Sequence, residues 1–244
     1  MDLHTLKSRG LIRKGLAPLN RPDSFPFGVS SRGIHELVED SFGEYGALTG
    51  FLLATANSAN HKSILWVSMA RIAMDHGRLW QTGLKPGFSP MPCILFARPT
   101  RQKEALWCVE EGIHSGAVSL VIAELNDIDF KSTRRLALAS EQRGVPVMML
   151  ISHTREGSTA ANTRWRISSF ASAPNQLDPR APGAVRWQAT LEKCRNAPDQ
   201  VGQTFLMEMK DETFSLRLLS GLVSGQVAPV TPEREHIPTI ARTG

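Results

Sequence analysis

The residues of this chain whose types could do chemistry begin with the stretch GIHELVEDSFGEYGALTGFLLATA, Gly33 to Ala56. It reads as a buried strand over Ile34–Val38, a turn containing Gly43 and Gly46, and an apolar helix from Ala47. Strand, glycine turn and helix form the layout that cradles phosphate, because N–H groups at the helix start point at the anion. Such a loop is completed by a Lys on the β- and γ-phosphates and a hydroxyl on Mg²⁺, in the pattern G-x-x-x-x-G-K-[ST]. With Gly46 as the second glycine, the first falls on Ser41, the Lys on Ala47 and the hydroxyl on Leu48. The expectation is a phosphate-loop backbone without its charge, a structural corner at Gly43 and Gly46 that holds no cofactor.

Other reactive side chains point to no familiar active site. Cys93, Cys108 and Cys194 are odd in number and lack close metal-ligand spacing, which suggests free thiols in a reducing compartment. His35, His61, His76, His114, His153 and His236 show neither H-x₃₋₅-H nor H-E-x-x-H spacing, so no metal is expected. His35 alternates within the first strand and reads as packed, Cys108 reads as core, and Ser58, Ser63 and Ser68 have no nucleophile-elbow context. The basic residues offer more. The segment His153–Arg166 carries Arg155, Arg164 and Arg166 with Ser158, Thr159 and Asn162. Either these meet the phosphates of single-stranded DNA or an acidic partner, or Arg164 and Arg166 alternate on a solvated strand face. Trp165 between them reads as inward-facing, so any DNA affinity should be modest and salt-dependent. Arg186, Lys193 and Arg195 flank Trp187 as a second basic set.

The elements that must position these residues follow from hydrophobic patterning. With 244 residues, 41% hydrophobic and 21% charged, the chain has the composition of one α/β domain with peripheral arms. Its net charge of +5 permits nucleic acid or an acidic partner without requiring either. Met1–Leu16 is polar, and no apolar run reaches the roughly 20 residues that span a bilayer, so a cytoplasmic location without membrane contact is expected. Further strands are read at Ile64–Val67, Cys93–Phe96, Val118–Leu125 and Val145–Ile151, the first and third of these as buried. A helix from Ala47 to Ala59, a second ending at Gly116 and a third ending at Gly144 separate them. This β-α-β-α order predicts a mostly parallel sheet with helices on both faces. Strand-like runs at Arg164–Ser168, Val185–Cys194, Thr204–Met209 and Phe214–Leu218, with no helical period between them, predict a C-terminal antiparallel meander. The domain reading is a basic arm over 1–32, a core over 33–224 and a proline-rich tail over 225–244.

These pieces resemble the RecA-like recombinase core, from roughly Gly33 to Leu222. GIHELVED resembles the strand before its phosphate loop, FARPTRQKEALWCVEEGIHSGAVSLVIAEL its strand-helix-strand, and RWQATLEKCRNAPDQVGQTFLMEM its late antiparallel strands. More narrowly, HGRLWQTGL (His76–Leu84), RWRI (Arg164–Ile167) and RWQATLEKCRN (Arg186–Asn196) resemble the ImuA family, recombinase-like proteins of bacterial inducible mutagenesis related to the SulA division inhibitors.

The resemblance implies a role in SOS-induced translesion DNA synthesis beside a Y-family-like polymerase homologue of the ImuB type, an error-prone replicative-type polymerase and the recombinase. It also implies where catalysis would sit. The water-activating glutamate of the recombinases aligns with Met69 or Ala70, and their metal-linked Asp falls near Ala123; Glu124 next door would face the site only if the strand slipped by one residue, and otherwise reads as an exposed strand end. With Ala47 and Leu48 in place of the loop Lys and hydroxyl, no ATPase activity is expected. The alternative is a SulA-like inhibitor of division that binds the tubulin-like septation protein.

Overall fold

The computed structural model describes residues 32–220 apart from 60, 85–87, 89, 176, 179 and 211–214. Most of the N-terminal arm and all of the C-terminal tail read from the sequence lie outside the described residues, as does the turn after Lys210. The elements run β1 (Ile34–Glu39), α1 (Tyr45–Ser58), β2 (Ser63–Ser68), α2 (Ala70–Asp75), α3 (Gln81–Leu84), β3 (Cys93–Ala97), α4 (Gln102–Ser115), β4 (Leu120–Leu125), α5 (Phe130–Arg143) and β5 (Val147–Ile151). After them come β6 (Thr163–Phe170), β7 (Arg186–Cys194), β8 (Thr204–Lys210) and β9 (Ser215–Ser220). One nine-stranded sheet holds them in the order β3-β2-β4-β5-β1-β6-β7-β8-β9.

The first six strands in that spatial order are mutually parallel, and β7, β8 and β9 continue antiparallel from β6. The fold is therefore a mixed α/β sheet, mostly parallel, with flanking helices and a C-terminal antiparallel meander. β4 and β5, apolar over nearly their whole length, are buried throughout, as strands covered on both faces must be. β6 joins the two halves, lying parallel to β1 and antiparallel to β7. The chain from β5 to β6 crosses β1 without a helix, so residues 152–162 run along the sheet as irregular backbone.

Two details set the positions of the candidate site. α1 is apolar on every side rather than along one stripe; Leu48, Phe51, Leu52, Ala54 and Ala56 are all buried. A helix of that pattern needs cover all round. The twisted sheet supplies it, because α1 packs on β1, β5 and β6 and again on β9. Trp187 closes on α1 edge-to-face with Phe51, ring centroids 6.2 Å apart. The parallel strands all end along one edge, so the turns after β1, β2, β3, β4 and β5 lie together there, the place where open α/β sheets bind ligands.

Candidate functional site

The turn between β1 and α1 passes through Gly43, whose φ of 100° is a backbone conformation that side chains strain to adopt. Space around Gly43 and Gly46 is open, so neither glycine is required by crowding. The Glu44 carboxylate ties the turn to β6 by accepting from the Ser169 N–H and Oγ at 2.9 and 3.0 Å. Ala47 is half-buried and Leu48 fully buried in the core, on the first turn of α1.

Protein side chains occupy the corner itself. Tyr45 is buried and stacks on His76, ring centroids 4.0 Å apart and planes 14° from parallel. Glu39 ends β1 buried, its Oε1 accepting from the His153 N–H at 3.3 Å and lying 3.2 Å from His153 Nδ1. Phe42, at the exposed tip of the turn, meets the same His153 ring edge-on. The Tyr45 hydroxyl, the Ser68 hydroxyl and Glu39 Oε2 are buried with no hydrogen-bond partner among the described residues.

Glu124 requires a correction. Its sequence position reads as an exposed strand end, but it is 8% exposed. β4 stays in register to its last residues, with Ser68 beside Glu124 on one flank and Leu150 on the other. Burial pushes its carboxyl above the usual range, and Ser68, Trp66, His76 and Tyr45 around it pull part of the way back. Burial also raises the Tyr45 phenol, and the Glu124 and Glu39 carboxylates add to that rise. The groups facing this corner are thus two carboxylates, a phenol and two imidazoles. A transferring phosphoryl group needs the opposite charge.

Each of the four arginines picked from the sequence is held by partners of its own within the protein. Arg155 lies 3.2 Å from Asp127 and donates to the Ser158 carbonyl at 3.2 Å. Arg164 donates through Nε to Glu36 Oε2 at 2.7 Å and through Nη1 to the Gly157 carbonyl at 3.0 Å. Arg166 pairs with Glu192 and donates to the Glu39 carbonyl at 3.2 Å. Arg186 donates to Glu208 at 2.8 Å, and that carboxylate also accepts from Arg217. The Arg186 bond, with Arg217 beside it, holds Glu208 below the usual carboxylate range. Glu36 is fully buried and also accepts from the Thr159 hydroxyl, whose carbonyl accepts from Lys193. Burial lowers the Lys193 amine. Arg195 pairs with Glu141 at 2.9 Å. Trp165 is buried, as its alternation with the two arginines suggests, Trp187 is buried as well, and His35 packs with Nδ1 2.9 Å from Thr163 Oγ1. Among the described residues no group of three His, Cys, Asp or Glu side chains could hold a metal ion, and no helix is long and apolar enough to cross a membrane.

Sequence reasoning missed a second feature. A groove between α4 and strands β2 and β3 is lined by Leu65, Leu95, Ala97, Trp107, Cys108 and Val118. Leu95 and Trp107 are 52% and 61% exposed. Cys108, read as core, is half-buried in this wall. A signal existed, because Trp107 falls off the Ala105, Leu106, Val109 and Ile113 stripe by which α4 packs.

Fold and site together define a mixed α/β domain whose corner after β1 is occupied by its own side chains. No family model matches the chain. It is 28% identical over 216 residues to Protein ImuA from each of two strains of Caulobacter vibrioides, an alignment covering 82% of this chain and 86% of each relative. The similarity runs over most of the length of both chains.

Proposed function

We propose that this protein is a non-catalytic accessory factor of SOS-induced mutagenesis, holding components of an error-prone polymerase complex together during synthesis past DNA lesions. The similarity to ImuA supports the pathway. The observation that carries the non-catalytic part is the filled corner, where Tyr45 stacks on His76 between the buried Glu39 and Glu124. A nucleotide triphosphate placed there would displace a packed ring and bring its charge against two carboxylates, with Ala47 and Leu48 unable to neutralise it. Catalysis of phosphoryl transfer is almost wholly positioning and electrostatics, so this corner opposes it. The exposed groove beside α4 supports the binding role, since apolar surface left open to water marks interaction sites.

Two measurements test this reading. Purified protein should hydrolyse no ATP above background; turnover abolished by Gly46→Asp would overturn the non-catalytic assignment. Tagged protein recovered from DNA-damaged cells should bring down a Y-family-like polymerase homologue, a replicative-type polymerase or the recombinase. Recovery of none of them sinks the scaffold role.

A further inference from the structure

Internal carboxylates and carbonyls engage the arginines of the 153–166 segment and of β7, so a phosphate-binding surface must come from cations without such partners. Arg78 and Arg98 are two of these. Both are exposed, and neither makes a hydrogen bond or ion pair among the described residues. They line one cleft at the carboxyl ends of β2, β3 and β4, together with Trp66, Phe96, Leu79 and Glu124. Phe96 forms part of its wall, 36% exposed and tilted 35° against Trp66. Trp80, two residues beyond Arg78, is 75% exposed. Arg71, just after β2, and Arg101, just before α4, have side chains 81% and 82% exposed and acidic neighbours only at 3.8 and 3.9 Å.

We propose that the rim of this cleft binds single-stranded DNA, with Arg78 and Arg98 on neighbouring phosphates and Trp80 offering its ring to an unstacked base. The chemistry favours nucleic acid over an acidic protein surface, because guanidinium groups beside an open indole match a ligand that alternates phosphate and flat ring. An acidic surface would use the cations and leave Trp80 idle. It favours a single strand over a duplex because stacking needs a base free of its pair. Glu124 on the cleft floor keeps anions out of the depth, so phosphates stay at the rim and the bases outside it. This site does not depend on the scaffold reading; either can fail alone.

The test is fluorescence anisotropy of a labelled oligo-dT of about twenty nucleotides titrated with the full chain at low and physiological salt. Arg78→Glu with Arg98→Glu should weaken binding at least about tenfold and flatten its salt dependence. Arg78→Lys with Arg98→Lys should stay within about threefold of the parent, since charge is kept. Trp80→Ala should weaken binding about threefold or more without changing the salt slope. Arg166→Ala and Arg186→Ala should leave it unchanged. Thermal melting monitored by circular dichroism checks that each variant is folded. The proposal is overturned if the parent binds no single strand, if the double charge reversal binds normally, or if Arg166→Ala loses as much as that reversal. It is also overturned if poly-glutamate displaces the oligonucleotide as well as unlabelled oligo-dT does, since the cleft then serves an acidic protein.

Discussion

A carboxyl group buried at a strand end opposes folding whenever it is ionised, and Glu124 is such a group. Its pKa stands above the ordinary carboxylate value, so the folded chain holds this proton more tightly than the unfolded chain does. The stability linked to that proton is complete below the unfolded pKa and is lost as pH rises through the folded one. Glu124→Gln removes the ionisation. It should raise stability by about 1–2 kcal/mol near pH 8, a few degrees in melting temperature, and change little near pH 4. Melting curves at the two pH values decide it, and an equal gain at both would refute the burial argument. The Glu36–Arg164 pair obeys the opposite rule, since each charge is tolerated only because of the other. Arg164→Met alone should cost about 3–5 kcal/mol by urea unfolding, leaving Glu36 buried and unpaired. Adding Glu36→Leu should recover most of that loss; a double variant as unstable as the single one would show that packing, not charge, sets the cost.

Gly112 decides how closely α4 lies on the sheet. A Cβ there would stand 2.4 Å from Leu65 Cδ2 and 3.2 Å from Val121 Cγ2. Gly112→Ala should therefore cost about 1–3 kcal/mol, and Leu65→Ala in the same chain should relieve the clash. A double-mutant cycle measures that coupling, and additive losses would mean that the two sites do not press on each other. The elements themselves were largely readable before the structure, because their signals are local. Apolar runs marked β2, β4 and β5, and Gly116 and Gly144 end α4 and α5 in left-handed conformations. What stayed hidden depends on residues far apart in the chain. Glu36 and Arg164 lie 128 positions apart, and nothing in either neighbourhood announces the partner. CILFA reads as a strand, but nothing in it tells that β3 ends the sheet order and leaves Leu95 open. At the candidate site the glycine corner was visible as a pattern. Its filling by Tyr45 was not, because no motif says that a ring will turn inward and stack on a histidine 31 residues later.

Taken as a whole, the molecule separates its chemistry by region. The basic residues of β6 and β7 are matched against carboxylates of β1 and of the meander, the carboxyl edge of β1 and β4 is acidic and packed, and apolar surface opens along α4 and β3. If the chain works by holding partners, the groove beside α4 is where binding energy is available, since a half-exposed indole beside a half-exposed leucine is the kind of anchor that dominates interfaces. Trp107→Glu and Leu95→Glu alter side chains that already face water, so each should shift unfolding free energy by no more than about 0.5 kcal/mol. Either one should nonetheless reduce recovery of polymerase components by the tagged chain about tenfold, because charge buried in an apolar contact goes unpaired. Quantitative mass spectrometry of the captured complexes, with denaturant unfolding of the same variants, measures both sides. Loss of capture with stability intact assigns the groove to the partner. Full capture by both variants removes it from the interface and leaves the scaffold role to another face of the sheet.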